Sequence, residues 1–183
     1  MAPPEEAGAK VLETGRLVLR RLVTDDAPFI LALLNDPAWL EFIGDRGVRT
    51  VEDARGYILK GPIEMYAAHG FGLYLTERKS DGAPIGLCGL LRRKGLEDVD
   101  IGFAFLSAFR SQGYAFESAA AVMAHGRYAL GLDRIVGITL PGNRASIALL
   151  EKLGMKFERM VSLPDSGKVD MLFASGAGRG TGR

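Results

Sequence analysis

The sequence predicts a mixed α/β fold in which one sheet is covered by helices. Three observations carry that expectation. Two strand-like runs, 71–77 and 84–91, flank the turn residues Ser80-Asp81-Gly82, which is the pattern of a hairpin. From Val99 to Gly154 the chain then reads strand, loop, helix, strand, helix, before two closing strands. Its 183 residues, 48% of them hydrophobic, suit one ordinary domain with a sizeable core.

The elements follow in order. Residues 1–10 hold Pro3, Pro4, Glu5 and Glu6 without an apolar run, and read as a disordered tail. The folded domain is expected over 11–174, followed by a second disordered tail over 175–183 in which Gly alternates with small or basic residues. Residues 17–22 form a first strand with charged residues interleaved. Thr24 or Asp25 caps a helix that runs to about Leu34 and ends at Asn35-Asp36-Pro37. Residues 39–43 suit a short helix. Thr50, with Asp53 three residues on, opens the next helix as a capping box. Gly61-Pro62 is expected to kink or break it before Gly70. After the hairpin come a strand at 99–105, a helix at 113–130 and a strand at 134–139. Pro141-Gly142-Asn143 leads into a helix that Gly154 ends, and 155–161 and 169–173 close the sheet.

Bulk properties narrow the function classes. With 23 basic and 22 acidic residues the net charge is +1, so no field points to nucleic acid or a membrane surface. No segment approaches the ~20 apolar residues of a membrane span, and the N-terminus lacks the apolar core of a signal peptide. The lone Cys88 cannot form an internal disulfide, which suits a reducing cytoplasm, and its apolar strand marks it as core. His69 and His125 have no ligand-type neighbours at metal-binding spacing, so no metal is expected. Trp39, Phe42 and Tyr57 read as core first and as pocket lining second.

The chemistry concentrates in three segments. Arg110-Ser111-Gln112-Gly113-Tyr114-Ala115 lies between a strand and a helix. A basic, glycine-containing loop that opens a helix suits phosphate, because free N–H groups and the positive end of the helix dipole converge there. In the strand before it, Val99, Ile101, Phe103 and Phe105 share one face, and Asp100, Gly102 and Ala104 share the other. That second face leaves room for a ligand beside a carboxylate; a plain solvent-facing Asp fits the pattern equally well. In the later helix Asn143 is a natural N-cap, and Ser146, Leu149, Leu150 and Leu153 fall on one face. The Ser146 hydroxyl is placed either to meet a ligand or to join the cap.

These residues resemble the GCN5-related N-acetyltransferase (GNAT) superfamily, and within it the ribosomal-protein N-acetyltransferases of RimJ/RimL type. The superfamily's acyl-CoA loop is Arg or Gln, two residues, Gly, one residue, then Gly or Ala; Arg110, Gly113 and Ala115 match it. Asn143, Ser146, Leu150, Glu151, Lys152 and Gly154 match the later Asn-x-x-Ser and Leu-Glu-Lys-x-Gly pattern, and Glu13 to Arg20 resembles the start of the subfamily. The resemblance covers roughly residues 13–174. It implies a mostly antiparallel GNAT-like sheet of about six to seven strands with helices on both faces.

The resemblance also implies a reaction. Acetyl-CoA would place its pyrophosphate on Ser111, Gln112, Gly113, Tyr114 and Ala115, with Arg110 adding charge. Its pantetheine arm would lie along Phe103, Ala104 and Phe105, flanked by Asn143 and Ser146. Asp100 is expected to act as base through water, and Ser146 as donor to the departing sulfur. The acceptor would be a protein N-terminus or a small-molecule amine. Many members carry Tyr as general acid where this chain has Leu150, and often Glu where it has Asp100. Those departures keep a second reading open, a non-catalytic acyl-CoA-binding sensor or partner module. The resemblance is compatible with a homodimer.

Overall fold

The computed structural model describes residues 8–164 and 166–176. An eight-stranded sheet runs in the order β1-β2-β3-β4-β5-β6-β8-β7. Its strands are β1 (Lys10–Glu13), β2 (Leu17–Arg20), β3 (Leu73–Arg78), β4 (Ala83–Leu91), β5 (Val99–Phe105), β6 (Ile135–Thr139), β7 (Lys156–Ser162) and β8 (Val169–Ser175). Every neighbouring pair is antiparallel except β5 and β6, which are parallel. A parallel pair needs a crossover, and α5 (Tyr114–Tyr128) supplies it.

The helices occupy both faces. On one side α5 and α6 (Arg144–Lys152) bury Ala119, Val122, Met123 and Leu150 against Leu19, Ile85, Ile101 and Phe173. On the other, α1 (Ala27–Leu34), α2 (Pro37–Phe42) and α3 (Val51–Ile58) bury Ile30, Leu33, Trp39 and Ile58 against Leu75 and Leu87. Each such side chain contributes about 1.5–3 kcal/mol of burial, so the two layers hold the sheet firmly. The alternation expected for β5 holds: Val99, Ile101 and Phe105 join the α5 layer, and Ala104 packs with the opposite one.

Four expectations need correction at their edges. The N-terminal tail was expected to reach Lys10, yet Lys10 begins β1 and pairs with Arg20; residues 1–7 lie outside the described residues. The Gly-rich tail was expected from Ser175, yet Ser175 ends β8, is buried, and its hydroxyl donates to the Ile135 carbonyl at 3.1 Å; residues 177–183 lie outside the described residues. The sheet has one strand more than the upper expectation: β1, of which only Lys10 falls in the expected tail while 11–13 belong to the expected domain without an assigned element. Finally, Gly61-Pro62 interrupts the regular α-helix without ending the helical segment. Leu59–Ile63 forms a π-helical turn that joins α3 to α4 (Glu64–His69). The wider turn accommodates the missing N–H and the ring of buried Pro62, and Gly70, at φ 77°, supplies the stop.

Candidate active site

β5 and β6 stay in register only at Val99 with Ile135 and Asp100 with Val136. Beyond those pairs the strands diverge. The β5 edge from Ile101 to Phe105 is left without a neighbour on that side, while Gly137 to Thr139 continue their pairing with β8. A wedge between parallel strands, open where they separate, leaves main-chain donors and acceptors available to an extended ligand.

The loop of Arg110 to Gly113 stands at the mouth of this wedge, between β5 and α5. Ser111 adopts φ 59° and Gly113 φ 82°, so the chain turns sharply twice before the helix begins. Gly113 is the N-cap of α5 and has no side chain to satisfy the first-turn N–H groups. A loop that leaves these donors uncapped at the head of a 15-residue helix offers an anion site.

What holds this loop is a set of contacts that no local pattern reveals. The Arg16 guanidinium donates to the Gln112 carbonyl at 2.9 Å and lies 4.4 Å from the centre of the Tyr114 ring. It is fixed by Glu117 at 2.6 Å, and Glu117 also accepts from the Thr14 hydroxyl and the Arg16 N–H. Burial alone would raise the Glu117 pKa, but these three donors and the Arg16 charge bring it below its ordinary value. The Gln112 amide donates to the Ala108 carbonyl at 3.0 Å. Arg110 is also committed within the protein: its guanidinium reaches Asp36 at 2.7 Å and the Phe105 carbonyl at 2.8 Å. Asp36 further accepts from the Ser107 hydroxyl and N–H and from the Ala38 N–H. Burial pushes its pKa up, yet these donors win and bring it down to about 2. Arg110 thus ties the end of β5 to the start of α2.

On the other side of the wedge, the Asn143 side chain accepts the Ser146 N–H at 3.1 Å and so caps α6. The Ser146 hydroxyl takes no part in the cap and has no hydrogen-bond partner among the described residues. Leu150 is buried, and a Cβ on Gly137 would come within 2.7 Å of it, so the position where many GNAT members have Tyr is filled with packing.

Asp100 sits at the last paired rung of the wedge and is fully buried. It is not solvent-facing. The Arg93 guanidinium pairs with its Oδ2, while Oδ1 has no partner among the described residues. Burial raises its pKa above the usual carboxylate range, with Arg93 opposing. Sequence reasoning missed Arg16, Glu117, Asp36 and Arg93. Arg16 and Asp36 lie far from the loop they hold, 101 residues from Glu117 and 74 from Arg110, while Glu117 and Arg93 are near in sequence but match no motif.

The family model described as "Acetyltransferase (GNAT) domain" matches residues 16–156, most of the chain. The chain belongs to the GNAT acetyltransferase family. Similar curated proteins include the "Uncharacterized N-acetyltransferase YoaA" of Bacillus subtilis, 28% identical over 150 residues, covering 81% of this chain and 84% of the relative. Among solved structures, an acetyltransferase from Agrobacterium tumefaciens superposes with a TM-score of 0.76 at 23% identity, covering 91% of this chain and 94% of that one. RimL, the ribosomal L7/L12 α-N-protein acetyltransferase, solved with coenzyme A, gives 0.77 at 19% identity, covering 91% and 97%. At such identities the likeness to these structures shows the fold. No helix among the described residues of this GNAT protein is long and apolar enough to cross a membrane.

Proposed function

We propose that this GNAT acetyltransferase moves an acetyl group from acetyl-CoA to a primary amine, either a protein N-terminal α-amine or the amine of a small molecule. The observation that carries the reading is the wedge itself: an unpaired β5 edge lies next to an uncapped helix N-terminus, with a free hydroxyl across the gap. Acetyl-CoA supplies the activated thioester. The chain's residues fit it. N–H groups of Gln112 to Ala115 face the pyrophosphate, helped by the α5 dipole. Arg110 acts by holding the loop, since its guanidinium is engaged with Asp36 and Phe105. The Phe105 carbonyl is therefore already occupied, and pairing with the arm falls to the Phe103 backbone and the Phe105 N–H, while Ala104 turns its N–H and C=O toward Leu87 of β4 and lines the arm without pairing. Ser111 contributes its left-handed turn, Tyr114 its platform under Arg16, and Asn143 the end of the wedge.

Transfer needs a neutral amine and a stabilised leaving thiolate. An α-amine has a pKa of about 7.7–8.0, so a useful fraction is already neutral near pH 7–8. Asp100 receives the remaining proton, through water, at its unpartnered Oδ1. A carboxylate with a raised pKa is the better base for that step. Ser146 donates to the sulfur as it departs. A thiol pKa near 8.5 asks for little acid assistance, so Leu150 in place of Tyr does not prevent turnover. Positioning of the two reactants supplies much of the acceleration.

Thiol release from acetyl-CoA, measured over a panel of small amines and N-terminal peptides, tests the proposal. Release that depends on one class of amine is expected. Acetyl-CoA binding with no release from any amine would instead favour the non-catalytic module.

A further inference from the structure

Three cationic side chains from separate elements converge on the Asp100 side of the wedge. Arg93 pairs with Asp100 from the loop after β4, and its Nη2 lies 3.9 Å from the place a Cβ on Gly102 would take. Arg46, in the loop between α2 and α3, acts electrostatically on the hydroxyl of half-buried Tyr57, as does Arg93. Lys168, before β8, acts with Arg93 on Asp170, and its Nζ lies 3.7 Å from where a Gly44 Cβ would stand. Gly44 is two residues from Arg46, so the loops carrying Arg46 and Lys168 are adjacent.

The charges around this mouth do not cancel. Arg46 is exposed and has no ion-pair partner among the described residues, because neighbouring Asp45 is held by Arg49 at 2.5 Å. Lys168 Nζ likewise donates no hydrogen bond among them. Asp100 and Asp170, the carboxylates on which Arg93 acts, are both buried. Exposed Arg46 and half-buried Lys168 therefore lie nearer the surface than fully buried Asp100. Such an order suits a chain with an amine at its tip and negative charge a few atoms behind it. It opposes polyamines and other polycations, whose further charges would sit against Arg46 and Lys168.

From this arrangement we infer that the acceptor is an anionic amine, a peptide N-terminus followed by acidic residues, read by Arg46, Lys168 and Arg93. The inference rests on the acetyltransferase reading for the identity of the site, and its test separates the two. Calorimetry on the CoA-loaded protein would use three peptides that share an N-terminal Ser and differ at the next positions, Asp-Asp, Ala-Ala or Lys-Lys. The acidic peptide should bind about tenfold more tightly than the neutral one, and the basic peptide most weakly. The preference should collapse when ionic strength rises from about 0.02 M to about 0.5 M. Arg46→Gln and Lys168→Gln, both at the mouth and outside the core, should each remove several-fold of the acidic preference while CoA affinity holds. Equal affinity for all three peptides, preference for the basic one, or no peptide binding would overturn the inference. Selective binding of the acidic peptide, with no thiol release when the same peptide is mixed with the protein and acetyl-CoA, would uphold it and overturn the catalytic reading.

Discussion

Replacing Gly113 by Val probes the phosphate cradle at its tightest point. Gly113 sits at φ 82° and ψ 0°, in the left-handed region. A side chain there costs roughly 1–2 kcal/mol, and more for a β-branched residue. Its Cβ would also stand 3.1 Å from Arg16 Nη2, so the guanidinium that holds the Gln112 carbonyl must move. Together these terms amount to about 2–4 kcal/mol, below the ~5–15 kcal/mol that keeps a domain folded. At ~2–4 °C per kcal/mol for a chain of this size, the melting temperature should fall by roughly 5–15 °C, with the circular dichroism of the folded state retained. Binding should suffer far more. Tilting two first-turn N–H groups away from a phosphate forfeits about 1.5–3 kcal/mol each, at least ~100-fold in Kd for acetyl-CoA. Gly131→Val is the control. It lies at φ 66° with open space around its Cβ position, in the loop after α5, and should lose stability but not cofactor. A folded Gly113→Val protein that binds acetyl-CoA within about threefold of wild type refutes the loop assignment.

Other perturbations separate the remaining roles. Ser146→Ala should lower kcat by roughly 10–100-fold, with acetyl-CoA affinity and melting temperature unchanged, since the cap uses the Ser146 N–H and not its hydroxyl; steady-state kinetics beside a melting curve decide it. Asp100→Asn should cut kcat at neutral pH while leaving the melting temperature equal or higher, because the buried carboxylate is held with a raised pKa and its charge opposes folding once ionised; an intact kcat would remove Asp100 from the mechanism. For Asp36 the folded pKa is depressed, from 3.8 to about 2. Its contribution is therefore complete above pH ~4 and is lost as pH falls toward 2, a change on the order of 2 kcal/mol. Urea titrations of wild type and Asp36→Asn should converge over that window, and a constant difference would contradict the assignment.

Local patterns were read well wherever local physics decides the structure. The Thr50–Asp53 box, the Asn143 cap and the Gly154 stop each depend on residues within one turn, and all three form as expected. The alternation of β5 likewise placed Asp100 on the face away from α5, yet its burial was out of reach because Arg93 arrives from the preceding loop. Arg110 shows the same limit from the other side. Its type suggests a phosphate ligand, but Asp36, 74 positions earlier, competes for it successfully at 2.7 Å. β1 escaped notice because four residues beside a polar tail carry little periodicity; its existence depends on the edge that β2 offers. The π turn at Leu59–Ile63 depends on packing that holds Pro62 in the core, which overrides the helix-breaking tendency of Gly61-Pro62. The wedge between β5 and β6 is a property of register between strands separated by a whole helix, and only the assembled sheet shows it.

If the wedge and the head of α5 hold acetyl-CoA, isothermal titration of the wild-type protein with acetyl-CoA shows it directly. Saturable binding at one site per chain is expected, weakened at least ~100-fold by Gly113→Val. No heat of binding at about 1 mM acetyl-CoA, with the protein folded, would contradict it.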